Sequence, residues 1–278
     1  VSARAGRARR SGRGGGRSDL LARVLVALPA AVFAILITYL GGLVFALGII
    51  ALGLLCLHEL YSMLEGTRPV KIGGFLAMIA LVFAALYGSQ FQVLLVLVAA
   101  VPVVFALVVG RPGAGSATAP VATTLLGVYW IGLALAHAML LIRLPHGHAI
   151  MIDVLVGTFL GDTGAYFGGR ALGRRPLAPA LSPNKTVEGL LVGMAIAVLA
   201  VWCASRYQDW LSGGHAIVLG IAIALAAPVG DLFESAIKRG AQTKDSGRFF
   251  GAHGGALDRL DAVLFTVVAG YYVWVALL

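Results

Sequence analysis

Charge is what this sequence has least of. Only 12% of its residues are Asp, Glu, Lys or Arg, against 60% hydrophobic ones, whereas a soluble domain carries about 25% charged residues. The apolar residues gather into runs of about 20, which excludes an ordinary water-soluble core and indicates a polytopic membrane protein. Most of these runs also lack the polar face that a surface helix needs. Cysteine is nearly missing as well. Cys56 and Cys203 are too few for a disulfide framework and have no metal-ligand spacing, so both read as small buried hydrophobes. No internal repeat is visible. The inverted repeat of many transporters would need matching halves, and here the polar features crowd into the C-terminal half.

The charge that is present is unevenly placed. VSARAGRARRSGRGGGRSDLLAR opens the chain with seven arginines and one acid. No aromatic residue is interleaved for base stacking, so nucleic acid is not an expected partner. The expectation is a basic disordered tail over residues 1–20, on the cytoplasmic side near anionic headgroups of the bilayer. A cleaved leader is not expected, because the apolar segment that follows is long and offers no convincing cleavage site.

Nine spans are expected, at 21–40, 42–64, 74–89, 91–109, 120–142, 149–168, 187–206, 214–238 and 258–278. The third is short and the eighth long. With the N-terminus inside, all but two of the 21 lysines and arginines fall in the tail or in loops on the cytoplasmic side; Arg143 and Arg206 are left outside. That asymmetry is the positive-inside pattern, and it puts the C-terminus outside. Lipid cannot satisfy open backbone groups, so the expected fold is all-α, a polytopic helical bundle of about nine transmembrane helices. Its parts are the tail, N-terminal transmembrane helices over 21–145, and C-terminal catalytic helices with cytoplasmic loops over 146–278. GRPGAGSATAP (110–120) reads as a linker.

An acid at membrane depth costs a few kcal/mol, so each is a functional candidate. In FLGDTGAYFGGR (159–170), Asp162, Tyr166 and Arg170 are four apart on one helix face, and glycines 161, 164, 168 and 169 admit a close neighbour. Asp162 serves either chemistry or a hydrogen bond between packed helices. In LSPNKTVEG (181–189), Ser182-Pro183 reads as a turn, and Asn184 or Thr186 as a helix cap. Lys185 beside a helix N-terminus points to an anion there, while Glu188 complements the helix dipole. In APVGDLFESAIKRG (227–240), Asp231, Glu234, Ser235 and Lys238 form one stripe. Lys238 can pair with Glu234; Asp231 has no local partner. In HGGALDRLD (253–261), Asp258 reads as first-turn complement and Asp261 sits one turn deeper. Carboxylates at the ends of two consecutive helices suit magnesium, and the surrounding bases suit a polyphosphate. The residues thus describe a membrane enzyme acting on phosphate at the cytoplasmic face. An ion-coupled transporter would also bury acids, but would not need so dense a basic, glycine-rich loop.

SAIKRGAQTKDSGRFFGAHGGALDRLDAV (235–263) resembles the signature of the phosphatidate cytidylyltransferase (CDP-diacylglycerol synthase) family. Ser235, Lys238, Arg239, Lys244, Asp245, Gly247, His253, Gly254, Gly255, Asp258, Arg259 and Asp261 fall in register over 27 residues. Ala256 and the Gly251-Ala252 pair depart from it only at spacer positions. GDTGAYFGGR and LSPNKTVEG look like that family's upstream elements, so the specific likeness covers residues 150–278. The resemblance implies an Mg²⁺-dependent nucleotidyltransferase making CDP-diacylglycerol and pyrophosphate from CTP and phosphatidate. It further implies a nearby K⁺ and a homodimer in the plasma (inner) membrane. It implies Asp231 and Asp258, with Asp261 as a third candidate, as magnesium ligands. Lys185, Lys238, Arg239, Lys244 and Arg259 would contact phosphates, and His253, Gly254 and Gly255 would shape the nucleotide loop. Asp245 would join Asp231, Asp258, Asp261 and Lys238 in the catalytic set, either as a supporting acid or as the partner of a base. Asp162, Ser182, Asn184, Thr186, Glu188 and Ser235 would line the substrate site. A CTP-dependent lipid kinase or a related membrane nucleotidyltransferase is the nearer alternative, and product analysis separates them.

Overall fold

Long apolar runs in lipid fold as helices because a helix satisfies its own backbone, and helices account for most of the described residues. The computed structural model describes residues 29, 31–111, 116–243, 245–247 and 254–278. The expected basic tail, Lys244, Arg248 and His253 lie outside these residues. The described helices are α1 (Ala31–Leu40), α2 (Gly42–Met63), α3 (Lys71–Tyr87), α4 (Gln90–Val109), α5 (Thr118–Ile142), α6 (Gly147–Leu172), α7 (Val187–Ser205), α8 (Gly213–Gly240) and α9 (Leu257–Leu277). Seven of them are long and apolar enough to cross a membrane, while α1 and α3 are apolar but shorter. The all-α polytopic bundle therefore holds, with seven spans of full length where the sequence suggested about nine. The chain divides into two units, Val1–Leu36 and Ile37–Leu278. The described part of the first includes the opening of α1, and α2–α9 lie in the second.

Local sequence sets the helix ends. Ser89 and Gln92 form a reciprocal capping box at the start of α4, Thr186 accepts from the Gly189 N–H at 3.1 Å to open α7, and Ser212 accepts from His215 at 3.2 Å to open α8. Such caps satisfy backbone donors that a helix start leaves open. The Ser182-Pro183 turn expected before α7 is instead extended backbone. Ser182–Thr186 (β2) pairs antiparallel with Pro176–Ala178 (β1), because the chain must span the α6–α7 connection without helix and two short strands satisfy it.

Up-and-down connectivity gives the bundle two ends. At one, α2, α4, α6 and α8 finish: Arg111 donates to the Arg68 carbonyl at 3.1 Å, Arg239 Nε to the Leu181 carbonyl at 3.2 Å, and Thr243 to Met63 sulfur at 3.7 Å. At the other, Arg143 donates to the Ala85 and Gly88 carbonyls at the end of α3, and Trp274 Nε1 to the Pro145 carbonyl at 2.8 Å.

Packing is closest between α6 and α7. A Cβ on Gly193 would lie 2.7 Å from the Gly161 carbonyl, and one on Gly189 2.8 Å from Gly169 Cα. The glycines of GDTGAYFGGR therefore do admit a neighbouring helix, which gains van der Waals contact where no hydrophobic drive between helices exists. On α4, by contrast, Phe91, Leu95, Val98 and Phe105 stay exposed, as a lipid-facing helix can. Cys56 is buried as expected, but Cys203 is exposed on α7: on an outer apolar helix, a small hydrophobe has no need of burial. One feature had no sequence signal. Inside α5, Val128–Gly132 widens into a π-turn that carries Trp130 edge-on to Phe233, ring centroids 4.8 Å apart.

Candidate active site

The stripe read on α8 is real, and Lys238 is its hinge. Its ammonium donates to Glu234 Oε2 at 2.7 Å, one turn back, and to Asp258 Oδ1 at 2.8 Å on α9. The local pair expected from the sequence is thus half of a bridge between two helices. Glu234 is 1% exposed, and its other oxygen, Oε1, has no hydrogen-bond partner among the described residues. A buried unpaired carboxylate oxygen is costly, so this is a strained spot. Ser235 lies half-buried beside it and Arg239 is exposed.

Asp231 finds its partner outside its own helix. Lys185, at the end of the β1–β2 hairpin, forms an ion pair with Asp231 Oδ2. The anion that the sequence placed near Lys185 is, in this structure, that carboxylate. Asp162 of α6 interacts electrostatically with both Asp231 and Lys185, and Asp261 with Glu234, Asp231 and Asp162. Helices α8 and α9 meet closely here because residue 230 is glycine: a Cβ would lie 2.5 Å from the Asp261 carbonyl oxygen and 3.1 Å from Ala262 Cα. Asp261 Oδ1 itself accepts from the Ala262 N–H at 2.8 Å. Four carboxylates therefore share one neighbourhood at the charged end.

Asp258 is held from three sides. Besides Lys238, it accepts from Gly255 N–H at 2.7 Å and from Ser246 N–H at 3.2 Å. Gly254 makes the turn possible in two ways. Its φ is +85°, a region that favours glycine, and a Cβ there would lie 2.6 Å from Asp258 Oδ2. The two glycines thus fit a turn that wraps a carboxylate. Asp245 and Arg259 are exposed on either side of it, as is Asn184 on β2. Ser182 and Thr186 bound β2; Thr186 acts as the cap already described. Glu188 Oε2 accepts from Arg174 and Arg175 N–H at 2.9 and 3.1 Å, so it fastens the α6–α7 connection. Tyr166 and Arg170 share the predicted face, Arg170 donating to the Tyr166 hydroxyl at 3.4 Å.

One acid of this end was missed. Glu59 of α2, 6% exposed, accepts from Ala256 N–H at 3.0 Å, Leu257 N–H at 2.9 Å and the Ser246 hydroxyl at 3.2 Å. Its signal was available, since an acid within an apolar run is a candidate wherever it falls.

The donor set can be tested against magnesium. Carboxylate oxygens are the hard ligands this ion takes, and two ammonium groups, on Lys185 and Lys238, already supply positive charge to Asp231, Glu234 and Asp258. The residues fit in chemistry and sign. Asp231, Asp258 and Asp261 are not gathered into one tight ligand set: among the described residues no three such side chains converge on a single point.

Comparison with known proteins places this geometry in context. The model of the cytidylyltransferase family matches residues 21–277. The phosphatidate cytidylyltransferase of Bacillus subtilis (strain 168) is 31% identical over 272 residues, covering 91% of this chain and 97% of the relative. That of Brucella suis biovar 1 (strain 1330) is 31% identical over 255 residues, 89% and 90% of the two chains. The phosphatidate cytidylyltransferase of Helicobacter pylori (strain ATCC 700392 / 26695) is 46% identical over 121 residues, so the match spans only 44% of that relative.

Proposed function

The chain belongs to the cytidylyltransferase family, and from that premise we propose that it transfers the cytidylyl group of CTP to phosphatidate, giving CDP-diacylglycerol and pyrophosphate for phospholipid synthesis. The observation that carries this reading is the paired arrangement of Lys185 with Asp231 and of Lys238 with Glu234 and Asp258, where α8 meets α9 at one end of a membrane bundle.

The reaction brings two anions together. Phosphatidate is a phosphomonoester whose second pKa is about 6, so its attacking oxygen is already ionised near neutral pH. No side-chain base is then required, and the work is positioning and neutralisation. The phosphatidate oxygen attacks the α-phosphorus of CTP, and pyrophosphate leaves in line. Lys185 and Lys238 exchange carboxylate partners for phosphate oxygens, and Arg239, Lys244 and Arg259 bind the rest of the polyphosphate. Asp231 and Asp258, with Asp261, would hold magnesium, and a potassium ion would lie nearby. Bound magnesium supplies charge neutralisation on the phosphates. His253, Gly254 and Gly255 would serve the nucleotide, and Asp162 would line the same site from α6. An apolar groove of about 510 Å³ between α5, α8 and α9, lined by Trp130, Phe233 and Phe265 among others, offers surface for acyl chains. The charged end faces the cytoplasm, the C-terminus lies outside the inner membrane, and two copies associate.

Mass spectrometry of lipids after incubation with CTP, phosphatidate and Mg²⁺ tests the reading. CDP-diacylglycerol with stoichiometric pyrophosphate is expected. CDP with a newly phosphorylated lipid would assign a kinase instead, and purified protein that leaves CTP untouched would overturn the proposal.

A further inference from the structure

Glu59 stands out because nothing in the proposed chemistry uses it. It sits on α2, in the half of the chain whose sequence carries no motif, and both its oxygens point at the start of α9. Oε1 accepts from Ala256 N–H, and Oε2 from Leu257 N–H and the Ser246 hydroxyl, all within 3.2 Å. Helix α9 has no side-chain cap of its own, its cap position being Ala256. A helix start leaves several N–H donors open and carries partial positive charge. Glu59 supplies the missing acceptor from 197 residues away. The fit around it is close: a Cβ on Gly247 would lie 2.5 Å from Glu59 Oε1, and one on Gly255 would meet Oε2 and the Ser246 hydroxyl.

Two carboxylates divide the donors of this one turn. Ser246 gives its hydroxyl to Glu59 and its N–H to Asp258. Gly255 N–H goes to Asp258, and the next two N–H groups go to Glu59. We propose that Glu59 is a positioning residue for Asp258: by taking the Ala256, Leu257 and Ser246 donors, it leaves the Asp258 carboxylate free to face Lys238 and the site. Without Glu59, those donors are open and compete for Asp258, the nearest carboxylate on the turn. The number of acceptor oxygens matters as well as shape, since all three donors end on the two oxygens of this one carboxyl group.

The proposal rests on the cytidylyl-transfer reading only where activity is measured, so its test has two arms. In lipid nanodiscs, E59Q keeps the side-chain shape but replaces one acceptor by a donor. Hydrogen exchange at Ala256 and Leu257 should quicken about tenfold or more, with amides in the middle of α2 unchanged. The magnesium concentration for half-maximal turnover should rise about 10- to 100-fold, the scale on which groups orienting a metal ligand act, while turnover at saturating magnesium falls much less. E65Q, six residues on along the chain and away from this turn, should match the unaltered protein in both arms. Unchanged exchange and unchanged magnesium dependence in E59Q would overturn the proposal. So would global loss of the folded state, which would make Glu59 a general structural residue. If the unaltered protein makes no CDP-lipid, the functional reading fails, and the exchange arm still decides whether Glu59 holds the turn.

Discussion

At one end of the bundle Lys185, Asp231, Glu234, Lys238 and Asp258 hold one another across the β1–β2 hairpin, α8 and α9. At the other, His146 stacks on Trp210 with centroids 4.1 Å apart, and Trp210 meets Trp274 edge-on at 5.6 Å. Both ends must join loops to helices and bury the junctions. The second does so with aromatic rings, whose contacts need no counter-charge. The first uses ionised groups, whose desolvation offsets much of their attraction. As a means of stability alone, the charged solution is the poorer one. The ion pairs where α8 meets α9 are therefore what the proposed handling of a charged substrate accounts for.

The sharpest way to break this contrast is to neutralise the charged end. D231N or D258N should lower CTP-dependent pyrophosphate release about 1000-fold, with the protein still inserted and monodisperse. Near-normal turnover in either variant at saturating magnesium would remove it from the site. The next largest effect is on stability. K238M leaves Glu234 and Asp258 facing each other without their shared cation, and should cost about 3 kcal/mol in thermal unfolding, in the range for a broken buried pair. G193V pushes on the Gly161 carbonyl where α6 and α7 touch. It should cost about 2 kcal/mol and raise the KM for CTP by displacing Asp162. The smallest effect belongs to the aromatic end: W210A should lose about 1 kcal/mol of stability while its turnover stays within about twofold of the unaltered protein. A large activity loss in W210A would erase the distinction between the two ends.

Much of this was readable from residue order. Spans expected at 149–168, 214–238 and 258–278 appear as Gly147–Leu172, Gly213–Gly240 and Leu257–Leu277, because hydropathy and lipid together leave the backbone little choice. The α8 stripe was legible from helical periodicity alone, and the α6 glycines from their spacing. What periodicity could not give was any pairing between elements. Lys185 reaches Asp231 across 46 positions, and Glu59 reaches Leu257 across 198; neither distance leaves a trace in local sequence. The π-turn at Val128–Gly132 was invisible for a different reason. It changes how the backbone hydrogen bonds are shared without changing which residues are apolar.

The long reach of Glu59 bears on how the molecule is made. Helix α2 is synthesised and inserted early, α9 last of the described helices. Until the chain from Ser246 to Leu257 has been made, a carboxylate that ends up buried lacks its three donors. Contacts so far apart in sequence form slowly, since the intervening chain must close into a loop first. The Glu59 contacts therefore cannot close until the chain up to Leu257 has been made.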